Sequence, residues 1–148
     1  MAKVYDVANS FLERDNMTHV KLQKLVYYFA AWGWALYDRK MIEDTEFEAD
    51  AHGPISKKLY RKYRKYGWGY IDRIDSYKLT EEEQKLSDAV WDTYGELSGT
   101  ELEFLSQSEV PWIKAKTLMF HQDMKNARIE PEDMKEYYSM IKNKECQL

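Results

Sequence analysis

The sequence predicts a mainly α domain: a compact bundle of about seven helices around a buried central helix at about residues 18–37, with at most a small β element near residues 47–51 and 71–77. Three observations lead there. Apolar residues recur at i, i+3, i+4 and i+7 along most of the chain, the period of an amphipathic helix. Two Ser/Thr-x-x-Glu patterns, at Thr80 to Glu83 and Ser98 to Glu101, have the form of capping boxes that open helices. One stretch is apolar nearly all round, as in a helix enclosed by others.

The first helix carries Val4, Val7, Ala8, Phe11 and Leu12 on one stripe and ends at the polar run from Glu13 to Asn16. Thr18 is a suitable N-cap for the second, which runs to about Tyr37. Leu22, Leu25, Val26, Phe29, Trp32, Gly33 and Leu36 form one face, and Tyr27, Tyr28, Ala30, Ala31 and Trp34 leave little polar surface elsewhere. Gly33 inside a helix costs about 1 kcal/mol against Ala, so it marks a close crossing. Phe47, Ala49 and Ala51 alternate with Glu48 and Asp50, which predicts a short extended segment. Gly53-Pro54 breaks it, and Pro54 suits the first turn of a third helix from about Ile55 to Tyr66. Gly67-Trp68-Gly69 closes that helix, and Ile71, Ile74 and Tyr77 lie on a loop or a second short extended piece. Behind the two capping boxes come a helix with Leu86, Val90, Tyr94 and Leu97, and a short one through about Leu105. Pro111 and Pro131 sit near the starts of the last two, with Trp112, Ala115, Leu118 and Met119 and then Met134, Tyr137, Tyr138 and Ile141 as stripes.

At 148 residues, with no linker, repeat or low-complexity segment, the chain reads as a single domain over residues 1–148. Hydrophobic residues make up 44% and charged residues 32%, a globular balance. A net charge of −4 argues against a dedicated duplex-binding domain, which carries a basic excess. The lone cysteine, Cys146, excludes an internal disulfide framework, and its position near the C-terminus does not suit a nucleophile. No secretory signal is visible, and the most apolar window, Leu25 to Leu36, is too short to span a bilayer. The expected location is the cytoplasm, with no membrane partner.

No catalytic constellation stands out. His19, His52 and His121 show no metal-ligand spacing, and hydrogen-bonded structural histidines are the expected outcome, with no metal and no cofactor. Gly67-Trp68-Gly69 lacks the lysine and helix start of a phosphate loop. An enzyme using His19, His52 and nearby tyrosines would need those two histidines to meet in space. The strongest local feature is the run from Lys57 to Arg73, KKLYRKYRKYGWGYIDR, with seven basic residues and one acidic. On a helix its tyrosines fall to one side and Lys57, Lys58, Arg61, Lys62, Arg64 and Lys65 around the rest. That surface suits an acidic partner or a phosphate backbone. The acidic stretch from Glu43 to Asp50 could neutralise part of it internally.

Four stretches, in order, resemble the Panacea-domain family, the SocA-like, phage-associated antitoxins. They are Thr18-His19-Val20-Lys21-Leu22-Gln23-Lys24-Leu25-Val26-Tyr27-Tyr28; Ala51-His52-Gly53-Pro54; the Tyr-rich basic helix ending at Tyr66-Gly67; and Leu102 to Trp112, followed by the Tyr137-Tyr138 pair. One departure is visible: the family commonly has Thr-His where this chain has Ser106-Gln107, and Gln107 cannot titrate or act as a base. The resemblance implies a helical domain of bacteria and prophages, often encoded beside a toxin. It implies a non-enzymatic antitoxin that binds and neutralises that toxin, with a protease as further partner where a member serves as a proteolytic adaptor. Under that reading Lys57, Lys58, Arg61, Arg64 and Lys65 face the partner. His19, Gln23, His52, Gly53, Pro54 and Trp112 hold the turn at residues 52–54 against the central helix. Nucleic-acid binding through the basic helix at residues 57–66 is the alternative.

Overall fold

A computed structural model describes residues 1–123 and 126–146. The order of elements is α1 (Val4–Leu12), α2 (His19–Tyr37), β1 (Glu48–Asp50), β2 (Gly53–Ile55), α3 (Lys57–Tyr63) with a 3-10 turn at Arg64–Tyr66, α4 (Glu81–Tyr94), α5 (Gly99–Gln107), α6 (Val110–His121), β3 (Ala127–Arg128) and α7 (Pro131–Cys146). The mainly α bundle predicted from the sequence is the fold observed. Cys146 ends α7, and its side chain lies outside the described residues' side chains.

The central helix is α2, buried along an unbroken run from Leu22 to Ala31 and again at Gly33. Thr18 caps it by accepting from the Lys21 amide, and Asp38 closes it in the left-handed region. It packs most extensively against α7, then α5, α4 and α1. A Cβ at Gly33 would overlap Met41 Cγ and lie 3.7 Å from Leu86 of α4. The close approach there is made by the segment after α2 as well as by a neighbouring helix. Both predicted capping boxes form in full, Thr80 with Glu83 and Ser98 with Glu101.

The small sheet has the order β2-β1-β3 and is antiparallel throughout. Three details differ from the sequence reading. Pro54 does not begin a helix. Gly53 takes φ of +98°, which reverses the chain so that Pro54 pairs with Ala49 on an edge strand, where its missing N–H costs nothing. Ser56 caps α3 in its place, accepting from the Leu59 amide. The α-helical part of the basic segment stops at Tyr63, and Arg64–Tyr66 tightens into a 3-10 turn. β3 was not expected: at two residues it shows no alternation, and only its pairing with β1 defines it. Residues 71–77 form a loop with no strand, fastened where the Ile71 amide donates to the Met17 carbonyl (2.9 Å) and the Asp75 amide to Asn9 Oδ1 (2.8 Å).

Candidate functional site

Two regions of the surface concentrate the residues singled out above. The first is the β1–β2 hairpin pressed onto α2. Gln23, 3% exposed, grips Ser56 with both ends of its amide, accepting from the Ser56 amide (2.8 Å) and donating to its carbonyl (2.9 Å). The next residue along the helix is Lys24, 1% exposed, whose Nζ donates to the Pro54 carbonyl at 3.2 Å. Burial pulls its ammonium down to about 8, with Glu103 and Asp50 opposing that fall. A Cβ at Gly53 would sit 2.9 Å from Lys24 Cε and 3.1 Å from Ser106 Oγ, so both the positive φ and the space demand glycine. The same turn is tied from its other side. Trp112 Nε1 donates to the Asp50 carbonyl (3.1 Å) and Gln107 Nε2 to the Ala51 carbonyl (2.7 Å). Gln107, read from sequence only as a lost histidine, is thus a hydrogen-bond strap on this turn.

His52 at the tip of the hairpin is solvent-exposed, and its Nδ1 lies 2.9 Å from Glu103 Oε1. His19, half-buried at the start of α2, meets Tyr60 edge-on with ring centroids 6.2 Å apart. Burial lowers its pKa, and the Lys24 charge lowers it further. The two histidines line one groove of about 680 Å³. Its walls are the segment entering α2, the first turn of α5, and Tyr60 with the Gly67-to-Tyr70 loop. Trp68 on that loop is 91% exposed, Tyr70 64% and Tyr60 44%. Gly67, with φ of +54°, sets the turn that leads into Trp68 and Tyr70.

The second region is the basic segment itself, and the structure divides it. Lys57 pairs with Glu48 (3.4 Å), Lys58 with Asp44 (2.6 Å) and Lys62 with Asp75 (3.8 Å). Asp44 also accepts from the Val4 amide (2.8 Å), and these bonds hold its carboxyl below the usual range despite partial burial. Arg61, Arg64 and Lys65 are exposed and make no ion pair among the described residues. Arg64 lies over the Tyr60 ring and Lys65 over the Tyr66 ring. Of the five lysines and arginines expected to face a partner, two are therefore engaged by acids of the same chain.

The sequence reading missed one group. Glu109, 5% exposed at the start of α6, accepts from Tyr28 of α2 (2.7 Å) and Tyr138 of α7 (2.8 Å) through one oxygen. Tyr138 in turn lies 3.2 Å from the Tyr27 hydroxyl, Tyr28 stacks on Tyr94 at 3.9 Å, and Trp32 donates to the Tyr94 hydroxyl. Burial raises the Glu109 carboxyl and pushes the Tyr28 and Tyr138 hydroxyls well above their ordinary value. This network is interior and joins α2, α4, α7 and the start of α6. Its signal in the sequence was a glutamate beside Pro-Trp and two tyrosine pairs, each of which alone reads as a helix start or a core stripe.

The model of the antitoxin SocA-like, Panacea domain matches residues 22–113, more than half of the chain. The chain belongs to that family. The matched span holds the Panacea domain's α2 clasp, the hairpin, the basic segment and Trp112 in one unit, with His19 just outside it. No curated protein and no solved structure matches the chain. Among the described residues no helix is long and apolar enough to cross a membrane. Nor does any group of three or more His, Cys, Asp or Glu side chains stand where it could hold a metal ion.

Proposed function

We propose that this Panacea-domain protein is an antitoxin of a bacterial or prophage toxin–antitoxin system. It neutralises its cognate toxin in the cytoplasm by direct protein–protein binding, without catalysing a reaction. The observation that carries the reading is the exposed basic and aromatic surface after the first turn of α3, on a chain of an antitoxin family. Arg61, Arg64 and Lys65 are exposed and make no ion pair among the described residues, and Tyr60, Trp68 and Tyr70 of the same segment are exposed as well. Exposed aromatics with arginine are the residue types that dominate protein–protein hot spots. The binding role is supported against an enzymatic one by the surroundings of the histidines. His52 has a carboxylate partner, but no hydroxyl or thiol lies in hydrogen-bonding reach of it among the described residues. Presentation of the bound toxin to a protease is a second step compatible with the same surface.

Co-expression tests the proposal. The product of the adjacent reading frame should arrest growth alone, be relieved by this protein and co-purify with it. Arg61→Glu with Arg64→Glu should weaken that complex while the protein stays folded. No rescue and no complex would overturn the proposal. Nucleic-acid binding ranks second, because three of the lysines in the run are already held by Glu48, Asp44 and Asp75. A shift of single- or double-stranded oligonucleotide at low salt, steeply lost as salt rises, would favour it.

A further inference from the structure

We infer that the groove between the start of α2, the start of α5 and the Gly67-to-Tyr70 loop is where the partner docks. Its occupant is an extended acidic segment of the toxin that sets one apolar side chain against Trp68 and Tyr70. This rests on the antitoxin reading above and adds to it the place and the chemistry of the contact.

Exposed aromatics supply the first argument. Trp68 is 91% exposed on a chain whose other tryptophans are at least half covered, and its indole makes no hydrogen bond among the described residues. The loop that presents it is nonetheless ordered from both ends. The Gly67 amide donates to the Arg64 carbonyl, the Gly69 amide to Tyr66, and the Ile71 amide to Met17, with the Ile71 side chain 2% exposed. A rigid loop holding out an indole and a phenol beside a concave wall gives a partner its apolar contact at little ordering cost.

Charge supplies the second. The chain carries a net −4, yet Arg64 and Lys65 are exposed and make no ion pair among the described residues, and Arg64 covers the Tyr60 ring that lines the groove. Glu103 on the groove wall is hydrogen-bonded to His52. An acidic segment complements this rim. Asp15 and Glu103 line the groove itself, so the segment's carboxylates lie along the Arg64 side of the rim and its apolar side chain enters between Trp68 and Tyr70. A single-stranded nucleic acid is the competing occupant that the test distinguishes.

The test uses the full-length protein, the purified toxin, and overlapping synthetic peptides that tile the toxin. Trp68→Ala and Tyr70→Ala should each weaken toxin binding about 30-fold or more, as loss of a central hot spot does. Phe120→Ala, an aromatic 85% exposed on α6 away from the groove, should leave affinity within about threefold, the level of a rim contact. The peptide that binds should hold an Asp or Glu beside an apolar residue, and it should lose affinity for Arg64→Glu. A complex that forms normally but ignores Trp68→Ala and Tyr70→Ala overturns the groove while leaving the antitoxin reading standing. A binding peptide that is basic overturns the stated chemistry. A dimer of the free protein that dissociates on Trp68→Ala would assign the groove to a second copy of this chain. Quenching of Trp68 by a single-stranded oligonucleotide would assign it to bases, and either result overturns the inference. If the wild-type protein binds no toxin at all, the underlying antitoxin reading falls with it.

Discussion

Lys24 sits where a positive charge is most expensive, 1% exposed between α2 and the hairpin, with the Pro54 carbonyl as its hydrogen-bond acceptor. Its pKa is near 8 in the folded state and 10.5 when unfolded, so the unfolded chain binds more protons across that interval. Stability therefore rises as pH climbs from about 8 toward 10. The cost of the buried ammonium is present in full below pH 8 and amounts to about 3 kcal/mol, at 1.36 kcal/mol per pKa unit. Above pH 10 the buried tyrosines act the other way. Tyr27, Tyr28 and Tyr138 ionise readily only when unfolded, so stability then falls. Chemical denaturation from pH 7 to 10 should show the rise in the wild type and lose it in Lys24→Met. A parallel rise in both would place its origin elsewhere. Gly53→Ala should destabilise by about 1–3 kcal/mol, through positive φ and the crowding of Lys24, readable as a lower denaturation midpoint. Tyr138→Phe removes a donor from a buried carboxylate and should cost about 1–3 kcal/mol by the same measurement.

Along the basic segment, Lys58 in α3 and Arg64 in the 3-10 turn after it lead different lives. Lys58 belongs to the fold: with Asp44 and the Val4 amide it ties α3 to the start of α1. Arg64 belongs to the surface. Lys58→Glu should therefore lower the melting temperature by a few degrees, about 2–4 °C for a domain of this size, whereas Arg64→Glu should leave it unchanged. Differential scanning calorimetry of the two variants decides the point. The density of charge here was legible in the sequence, as was the acidic stretch able to meet it. Which lysine meets which acid was not, because Asp44, Glu48 and Asp75 reach the helix from separate segments brought in by the hairpin and the 71–77 loop. Pro54 was misread for a related reason. Proline at a helix start and proline on an edge strand look alike along the chain, and the positive φ of Gly53 decides between them.

For the molecule as a whole, an acidic chain that exposes Arg61, Arg64 and Lys65 without an ion pair among the described residues should associate with an acidic partner at a salt-dependent rate. Raising ionic strength from about 0.05 to 0.5 M should slow association with the toxin by about tenfold and change dissociation little. Stopped-flow or surface-based kinetics would show it, and a rate indifferent to salt would remove Arg61, Arg64 and Lys65 from the encounter. The same global arrangement explains why α2 lacks a polar face. It is enclosed by α7, α5, α4 and α1, and the hydroxyls it buries are satisfied by Glu109 and Tyr138 from across the core.

By itself the sequence determined the helices, because period, caps and apolar content act over a few neighbouring residues: Thr18, Thr80 and Ser98 each begin the helix their side chains predict. It also carried the ordered motifs that mark the family. Only the tertiary structure decided which charges remain free, that His19 and His52 share a groove with Trp68, and that Gln107 and Glu109 bind partners on other elements. Those outcomes depend on distances between residues tens of positions apart, set by how the helices enclose α2 and by the path of the loops between them.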